Sequence, residues 1–281
     1  MSNARPALGA GLGFRRELIE ALKADVPEAI RFFELAPENW AGLGGRSARD
    51  LRYFTERHPF VCHGLSLSLG GIAPLDEALL RRTRRFMSDH GMTLYTEHLS
   101  WSADDAQLYE LLPIPLTTEA VKWAAGRIRQ AQDILGMRIG IENASYYVSP
   151  PGAEMSEAAF INAVVSEADC LLHLDVNNIY VNSRNFGFDP LAFMDALPLE
   201  RTCYIHVAGH YVEPDGLLID THGAAVIDPV WALLEAAYAR IGGEVPTCLE
   251  RDFNVPDLAQ LTAEVEIIGR LQAAAQRREA A

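Results

Sequence analysis

The sequence is short of positive charge for a protein of its length. Only 24 of its 281 residues are lysine or arginine, against 38 aspartates and glutamates, and just two, Lys23 and Lys122, are lysines. The formal net charge of −14 disfavours a general nucleic-acid-binding protein, because such proteins present a basic surface to the phosphates. We therefore expect no nucleic-acid partner.

Cysteines and long apolar runs are also scarce. The four cysteines lie far apart and form no CxxC pair, which excludes a zinc ribbon and argues against a disulfide framework. No apolar run approaches the roughly 20 residues that a membrane-spanning helix needs. The start, MSNARPALGAGLGF, has no basic stretch followed by a long apolar one, as a secretory signal would. We expect a reduced, cytoplasmic protein without a membrane partner.

What the sequence does contain is a regular alternation of strand and helix patterns. Eight short apolar runs each end in a turn signal: ALGAGLGF, FFELAPE, FVCHGLSL, TLYTEHLS, RIGIENAS, CLLHLDV, CYIHVAG and PTCLERD. Amphipathic patterns predict helices over residues 17–24, 47–57, 75–89, 118–135, 155–167, 190–196, 229–240 and 256–275. This order predicts a single α/β domain over residues 1–281, a (β/α)₈ TIM barrel.

An open, doubly wound sheet is the alternative fold. Such sheets commonly carry a GxGxxG fingerprint where the first strand meets its helix. The glycines here, Gly9, Gly11 and Gly13, do not have that spacing. The barrel is therefore the favoured prediction.

Polar residues recur where the predicted strands end. They are His63, His98, Glu142, Asp175, His206 and Glu250, with Asn178 just after the sixth strand and Asp220 and His222 in the long loop after the seventh. In a barrel, the carboxyl ends of all strands converge on one rim. We therefore expect these nine side chains to meet there.

Four carboxylates brought together would repel one another by several kcal/mol per pair at low dielectric, and divalent cations would remove that cost. Nine donors suit two or three metal ions rather than one. None of the nine is a cysteine, which favours catalytic iron, manganese or zinc over structural zinc.

Other polar residues near the same rim have less certain roles. His210 stands four residues after His206 and either supports the loop or contacts substrate. Tyr147, in the loop after the fifth strand, could line a substrate groove. His210 and Tyr147 are the candidates for an acid or base. His173 lies two residues before Asp175, so it faces the same way one layer deeper, as core or as support for the site.

Seven stretches of the sequence, in order, resemble a known enzyme family. They are CHGLSLSLGG, YTEHLSW, GIENASYY, LHLDVNNIYVN, IHVAGH, DTHG and LERD. They resemble the MbnB-like multinuclear non-haem iron enzymes, also known as domain of unknown function 692. The resemblance runs from Gly11 to about Ile268 and implies a TIM barrel similar to xylose isomerases and endonuclease IV.

The resemblance also implies how the donors are divided among metals. One ion would take His63, His98 and Glu142. A second would share Glu142 and take Asp175, His206 and Glu250. A third would take Asn178, Asp220 and His222. Endonuclease IV has a histidine at the position of Asn178, and an amide is a weaker ligand, so the third ion is expected to be more labile or to serve another role.

The activity implied by the resemblance is oxidative. The family uses two or three iron ions of mixed valence, together with O₂, to modify cysteine residues of a ribosomally made precursor peptide. Its products are of the thiooxazole or oxazolone-thioamide type or related to them. A small partner protein often presents the peptide. From the residues alone, zinc or manganese remains an alternative to iron.

Other functions are compatible with the same barrel. A metal-dependent phosphodiesterase or AP endonuclease would need a basic groove, whereas the predicted rim loops offer few arginines, among them Arg46, Arg184 and Arg251. A sugar isomerase with two metals would be expected to have a lysine near them. A non-enzymatic metal-binding protein is the third alternative.

Overall fold

The computed structural model describes residues 8–103 and 106–279, and its centre is a closed barrel of eight parallel strands. The barrel strands are β1 (Ala10–Gly13), β2 (Phe32–Leu35), β3 (Phe60–Gly64), β4 (Tyr95–His98), β7 (Gly140–Glu142), β8 (Leu171–Asp175), β9 (Thr202–Ala208) and β12 (Thr247–Glu250). Each pairs with the next in chain order, and β12 pairs with β1 to close the barrel. The predicted TIM barrel is confirmed.

Helices separate consecutive barrel strands. They are α1 (Ile19–Ala24), α2 (Gly45–Thr55), α3 (Glu77–His90), α4 (Thr118–Leu135), α5 (Glu157–Ala168), α6 (Val176–Phe186), α7 (Pro190–Asp195), α8 (Asp228–Ile241) and α9 (Leu258–Glu279). Within the described ranges, no helix is both long and apolar enough to cross a membrane.

Several helix ends follow from single residues. The side chains of Thr117 and Asp189 accept hydrogen bonds from the first turns of α4 and α7. Gly91 and Gly136 end α3 and α4 in the left-handed conformation. Helix α8 begins at Asp228, and an acidic residue in the first turn interacts favourably with the helix dipole.

The structure contains two kinds of element that the sequence did not predict, short hairpins and an additional helix. Short hairpins follow two of the strands, β5 (Trp101–Ala103) with β6 (Gln107–Leu112), and β10 (Tyr211–Val212) with β11 (Leu218–Ile219). Helix α6 starts directly at the end of β8, in a segment whose residues we expected in a loop. Its sequence, VNNIYVNSRNF, is rich in asparagine and β-branched residues, which are weak helix formers.

Inside the barrel, an apolar layer underlies the polar rim. Phe32, Tyr204 and Cys248 are fully buried and belong to a small cluster separate from the main core. Each lies two residues before a polar residue on the same strand, so both side chains point to the barrel axis. This layer packs beneath the polar residues, with the ring of Tyr204 centred 5.2 Å from that of His206.

Candidate metal centre

Strand register brings the predicted donors side by side. His98 pairs with Glu142 across β4 and β7, and Asp175 pairs with His206 across β8 and β9. Because these strands are neighbours in a closed barrel, their ends meet around one axis. These four residues thus meet through β-pairing rather than through loop packing.

Glu142 lies at the centre of the group. Its Oε2 atom is 3.2 Å from Nε2 of His63 and 3.6 Å from Nε2 of His98. Its Oε1 atom is 3.5 Å from Nδ1 of His206. The carboxylate is 2% exposed and therefore faces imidazoles from three different strands while shielded from water.

A second group of donors lies on the other side of Glu142. Nδ1 of His206 is 2.9 Å from Oε2 of Glu250. Glu142, Asp175, His206 and Glu250 each have one possible ligand atom within 4.8 Å of those of the other three, and all four residues are buried. A set of three carboxylates and one imidazole suits a hard divalent or trivalent cation.

The third predicted group is more open. Nε2 of His222 is 2.8 Å from Oδ1 of Asp220, and both side chains retain some exposure. The amide of Asn178 contacts Glu142 and the carbonyl of Asn143, at 3.5 and 3.1 Å. Asn178 therefore adjoins Glu142, and within the described residues it forms no hydrogen bond with the side chain of Asp220 or of His222.

Several inward-facing donor atoms have no hydrogen-bond partner. Oδ2 of Asp175 and Oδ1 of Asn178 are two of them, and Oε2 of Glu142, Nδ1 of His206 and Nε2 of His222 make ion-pair contacts of 3.2 Å or less but no hydrogen bond. Leaving a buried polar atom unpaired costs about 1–3 kcal/mol, so native proteins rarely collect such atoms in one place. Atoms of this kind are the ones that coordinate metals, and the residues present therefore fit a multinuclear centre.

The opposite nitrogens of the histidines are held by the protein. Nδ1 of His63 is 2.8 Å from the hydroxyl of Thr96, and Nδ1 of His222 is 3.0 Å from Oδ2 of Asp252. Metal-ligating histidines commonly use their second nitrogen in this way, which fixes the ring and its tautomer. The rings are therefore oriented before any ligand arrives.

Protonation in the metal-free protein reflects the crowded charges. Burial tends to lower the pKa of His98, but the carboxylates of Glu142 and Glu97 raise it to about 9. Burial also opposes the charge of His206, yet Glu250 and Glu34 raise its pKa well above the ordinary value. Protons thus balance part of the negative charge, and metal binding would release them.

The carboxyl group of Asp175 also has a shifted pKa. Burial first, and the neighbouring Glu142 and Asp220 second, raise its pKa well above the ordinary value. Its Oδ1 atom accepts a hydrogen bond of 2.7 Å from the backbone N–H of Asn178 and so caps α6. Asp175 has both the structural role of a cap and a free oxygen at the centre.

The two candidate acid–base residues lie beside the third group. Nδ1 of His210 is 2.8 Å from Oδ1 of Asn177, whose amide donates to Oδ1 of Asp220 at 2.7 Å. The hydroxyl of Tyr147 accepts from the backbone N–H of Asp220 at 3.0 Å. His210 and Tyr147 therefore reach the centre through Asp220, and their catalytic roles stay predictions.

His173 lies beneath the rim, as its spacing indicates. It is fully buried, its Nδ1 atom is 3.7 Å from Oε2 of Glu142, and neither ring nitrogen has a hydrogen-bond partner. Burial holds its pKa well below the ordinary value, so the ring is neutral. It forms the floor of the centre.

Sequence reasoning missed several residues that shape the centre. Glu34 contacts His206, Asp252 contacts His222, and Arg15 pairs with Asp252. Glu34 was detectable as a charged residue inside an apolar strand, and Asp252 as an acid two residues beyond Glu250. Arg15 had no comparable signal, because it follows β1 in a short connection.

A glycine after β9 allows the third group to approach. A Cβ atom on Gly209 would lie 2.1 Å from the carbonyl oxygen of Ala224 and 2.6 Å from that of Ala225. We expect Gly209→Ala to displace the loop carrying Asp220 and His222 and to lower the free energy of unfolding by about 1–3 kcal/mol. Urea denaturation measures this loss, with Gly126→Ala as a control, because a Cβ on Gly126 meets nothing within 4 Å. Equal stability of the two variants would contradict the role given to Gly209.

Comparison with solved structures shows the fold. The chain is similar to endonuclease IV from Thermus thermophilus, with a TM-score of 0.59 and 17% identity over 95% of this chain and 99% of that one. It is also similar to D-allulose 3-epimerase from Methylomonas sp., with a TM-score of 0.60 and 15% identity over 99% of this chain and 100% of that one. At such low identity these neighbours establish the barrel alone.

Comparison with curated sequences gives much nearer relatives. A UPF0276 protein of Nitrosospira multiformis is 62% identical over 94% of this chain and 93% of its own length. A UPF0276 protein of Pseudomonas aeruginosa is 54% identical over 94% and 92%. The family model described as "RiPP precursor modification enzyme MbnB/TglH/ChrH" matches residues 9–273. The chain therefore belongs to the MbnB/TglH/ChrH family of enzymes that modify precursors of ribosomally made peptides.

Proposed function

We propose that this protein is a multinuclear iron-dependent oxidative enzyme that uses O₂ to modify cysteine residues of a ribosomally made precursor peptide. The observation that carries the proposal is the collection of buried donor atoms that make no hydrogen bond, on Glu142, Asp175, Asn178, His206 and His222. Family membership supports the substrate class. The mixed nitrogen and oxygen donor set supports iron, with zinc or manganese as the alternative.

The donors would serve three positions. His63, His98 and Glu142 would hold the first ion. Glu142, Asp175, His206 and Glu250 would hold the second. Asn178, Asp220 and His222 would hold the third. Bound iron would supply one-electron and O₂ chemistry and a Lewis acid for the substrate thiolate, while the chain supplies position and electrostatics.

The chain's own thiols are unsuited to the reaction. All four cysteines are buried, and none of them forms a disulfide. Burial raises the pKa of the Cys170 thiol to about 12 and those of Cys62 and Cys248 well above the ordinary value. In the proposed reaction, the reactive thiolate would therefore come from the substrate rather than from these buried thiols.

The rim around the centre suits a peptide. Exposed apolar side chains stand on the loops and hairpins that follow β7, β9 and β12: Tyr147, Val148, Tyr211, Val212 and Phe253. Exposed apolar groups in one region commonly mark a contact surface. We propose that a precursor peptide, presented by a small partner protein, occupies this rim.

Two arginines near the rim form ion pairs within the protein. Arg15 pairs with Asp252, and Arg251 pairs with Glu264 at 2.7 Å. Arg46 and Arg184, which we expected in rim loops, lie on α2 and α6. This arrangement supports a peptide in preference to a nucleic acid, whose phosphates need free cations.

The proposal is tested with protein produced and loaded with iron without oxygen. The substrate is the cysteine-containing peptide encoded beside the gene, together with any small partner encoded there. After addition of O₂, we expect a mass change that tandem mass spectrometry assigns to a cysteine. A peptide with serine in place of that cysteine should stay unchanged. An unchanged mass for the paired peptide and partner would refute the proposed function.

A further inference from the structure

One buried carboxylate beside the centre belongs to none of the predicted metal positions. Glu34 lies on β2 and is 3% exposed. Its Oε2 atom is 2.5 Å from Nε2 of His206, which is fully buried. A short contact between a carboxylate and an imidazole, away from water, is a strong charge-assisted hydrogen bond.

The two nitrogens of His206 face in different directions. Nε2 faces Glu34, whereas Nδ1 lies 2.9 Å from Oε2 of Glu250 and 3.5 Å from Oε1 of Glu142. Glu34 therefore keeps a proton on Nε2, and when a metal ion displaces the second proton of the ring, Nδ1 supplies the lone pair on the side of Glu250 and Glu142.

His63 offers an internal comparison. Its outer nitrogen, Nδ1, is also held, but by the neutral hydroxyl of Thr96 at 2.8 Å. A carboxylate behind an imidazole makes that ring a stronger donor than a hydroxyl does. Of these two histidines, which both flank Glu142, His206 is thus the stronger metal ligand and His63 the weaker.

We propose that Glu34 is a positioning residue that fixes the ring of His206 and strengthens it as a metal ligand. The ion held by His206 with Asp175 and Glu250 then binds more tightly, and is oxidised more readily, than the ion held by His63 and His98. This inference rests on the proposed function for the identity of the metal. The positioning role itself applies to any divalent cation at that place. Glu34 acts through His206 and does not need to touch the substrate.

The test separates charge from shape with Glu34→Gln, which keeps an acceptor oxygen but removes the negative charge. We expect the affinity of one metal position to fall about 10–100-fold, the usual effect of losing an outer partner. Competition with a chromophoric chelator measures this for both Fe²⁺ and Zn²⁺. In the iron protein, Mössbauer spectra at a fixed potential should show a smaller ferric fraction, which a purely structural role would not produce.

Two matched variants complete the design. Glu157→Gln removes a half-buried carboxyl, which accepts a hydrogen bond of 2.6 Å from the hydroxyl of Tyr146, and should leave metal affinity unchanged. Cys248→Ala tests whether Glu34, His206 and Cys248, which lie close enough to share an ion, form a metal site instead. We expect this variant to bind metal as the parent does.

The outcomes are distinct. Unchanged Zn²⁺ affinity and ferric fraction in Glu34→Gln would overturn the inference, as would an equal loss in Cys248→Ala. Weakened Zn²⁺ binding in Glu34→Gln supports the positioning role even if the peptide is never oxidised. Failure of the peptide reaction in the parent protein, with normal metal binding, would count only against the proposed function.

Discussion

Asp175→Asn is expected to make the metal-free protein more stable and the metal-loaded protein less stable. Asparagine keeps the oxygen that accepts from the N–H of Asn178 and caps helices as well as aspartate does. It removes a buried carboxylate close to Glu142 and Asp220. We expect a gain on the order of 1 kcal/mol or more at pH 7 without metal.

The pH dependence of this gain has a definite sign. Burial and the neighbouring carboxylates raise the pKa of Asp175 in the folded protein, so the folded state holds a proton that the unfolded state releases. The contribution of this proton to the stability of the parent protein is fully present below the ordinary aspartate pKa. It is lost as the pH rises through the raised pKa of folded Asp175. The stability advantage of Asp175→Asn should therefore grow as the pH rises.

With metal bound, we expect the parent protein to be more stable than Asp175→Asn, the reverse of the order without metal. A ligand that binds only the folded state adds about 2.7 kcal/mol at a free concentration of 100 times Kd. The parent protein should gain this and Asp175→Asn should gain little. Urea denaturation with and without Fe²⁺ under nitrogen measures both effects. Asp189→Asn, the same change at the cap of α7, should alter neither. An Asp175→Asn protein that retains the full metal-induced stabilisation would contradict the role given to Asp175.

Glu142→Gln is expected to cause the largest loss of metal and activity. The Glu142 carboxylate is within 3.6 Å of nitrogens from His63, His98 and His206. It therefore borders two of the three proposed positions, and glutamine would remove the charge that both share. We expect loss of both ions and a fall in activity of more than about 100-fold, beyond the usual cost of losing an outer partner. Elemental analysis and the peptide assay measure these losses.

Asn178→Ala provides the graded comparison. Asn178 offers one unpartnered oxygen, and alanine is favourable in the first turn of α6. This variant should lose at most one ion per chain. If Glu142→Gln and Asn178→Ala lost the same amount of metal, Glu142 would not bridge two positions.

The sequence was sufficient for the barrel and for its polar rim. Eight apolar runs predicted the eight barrel strands, and a rule of barrel geometry placed His63, His98 and Glu142 at one end. The rule works because strand ends are fixed by backbone pairing, whatever the loops do. The structure brings these three side chains into contact, and their role as ligands stays a prediction.

Residues that act through other residues were harder to predict. Glu34 contacts His206 across 172 positions of sequence, and the contact exists only because closure of the barrel brings β2 and β9 to the same interior. Helix α6 was missed for a different reason. Its propensity is weak, and the cap supplied by Asp175 together with burial of Val176 and Ile179 makes it helical.

The central claim is that side chains from strands across the barrel hold a compact group of iron ions. The most direct measurement is a crystal structure of protein grown and loaded with iron without oxygen, with anomalous data at the iron edge. We expect two or three peaks, each about 2.0–2.3 Å from donor atoms of the nine residues. Glu142 should lie between two of them. If the crystals contain iron elsewhere on the chain and show no peak among Glu142, Asp175 and His206, the result would contradict the account.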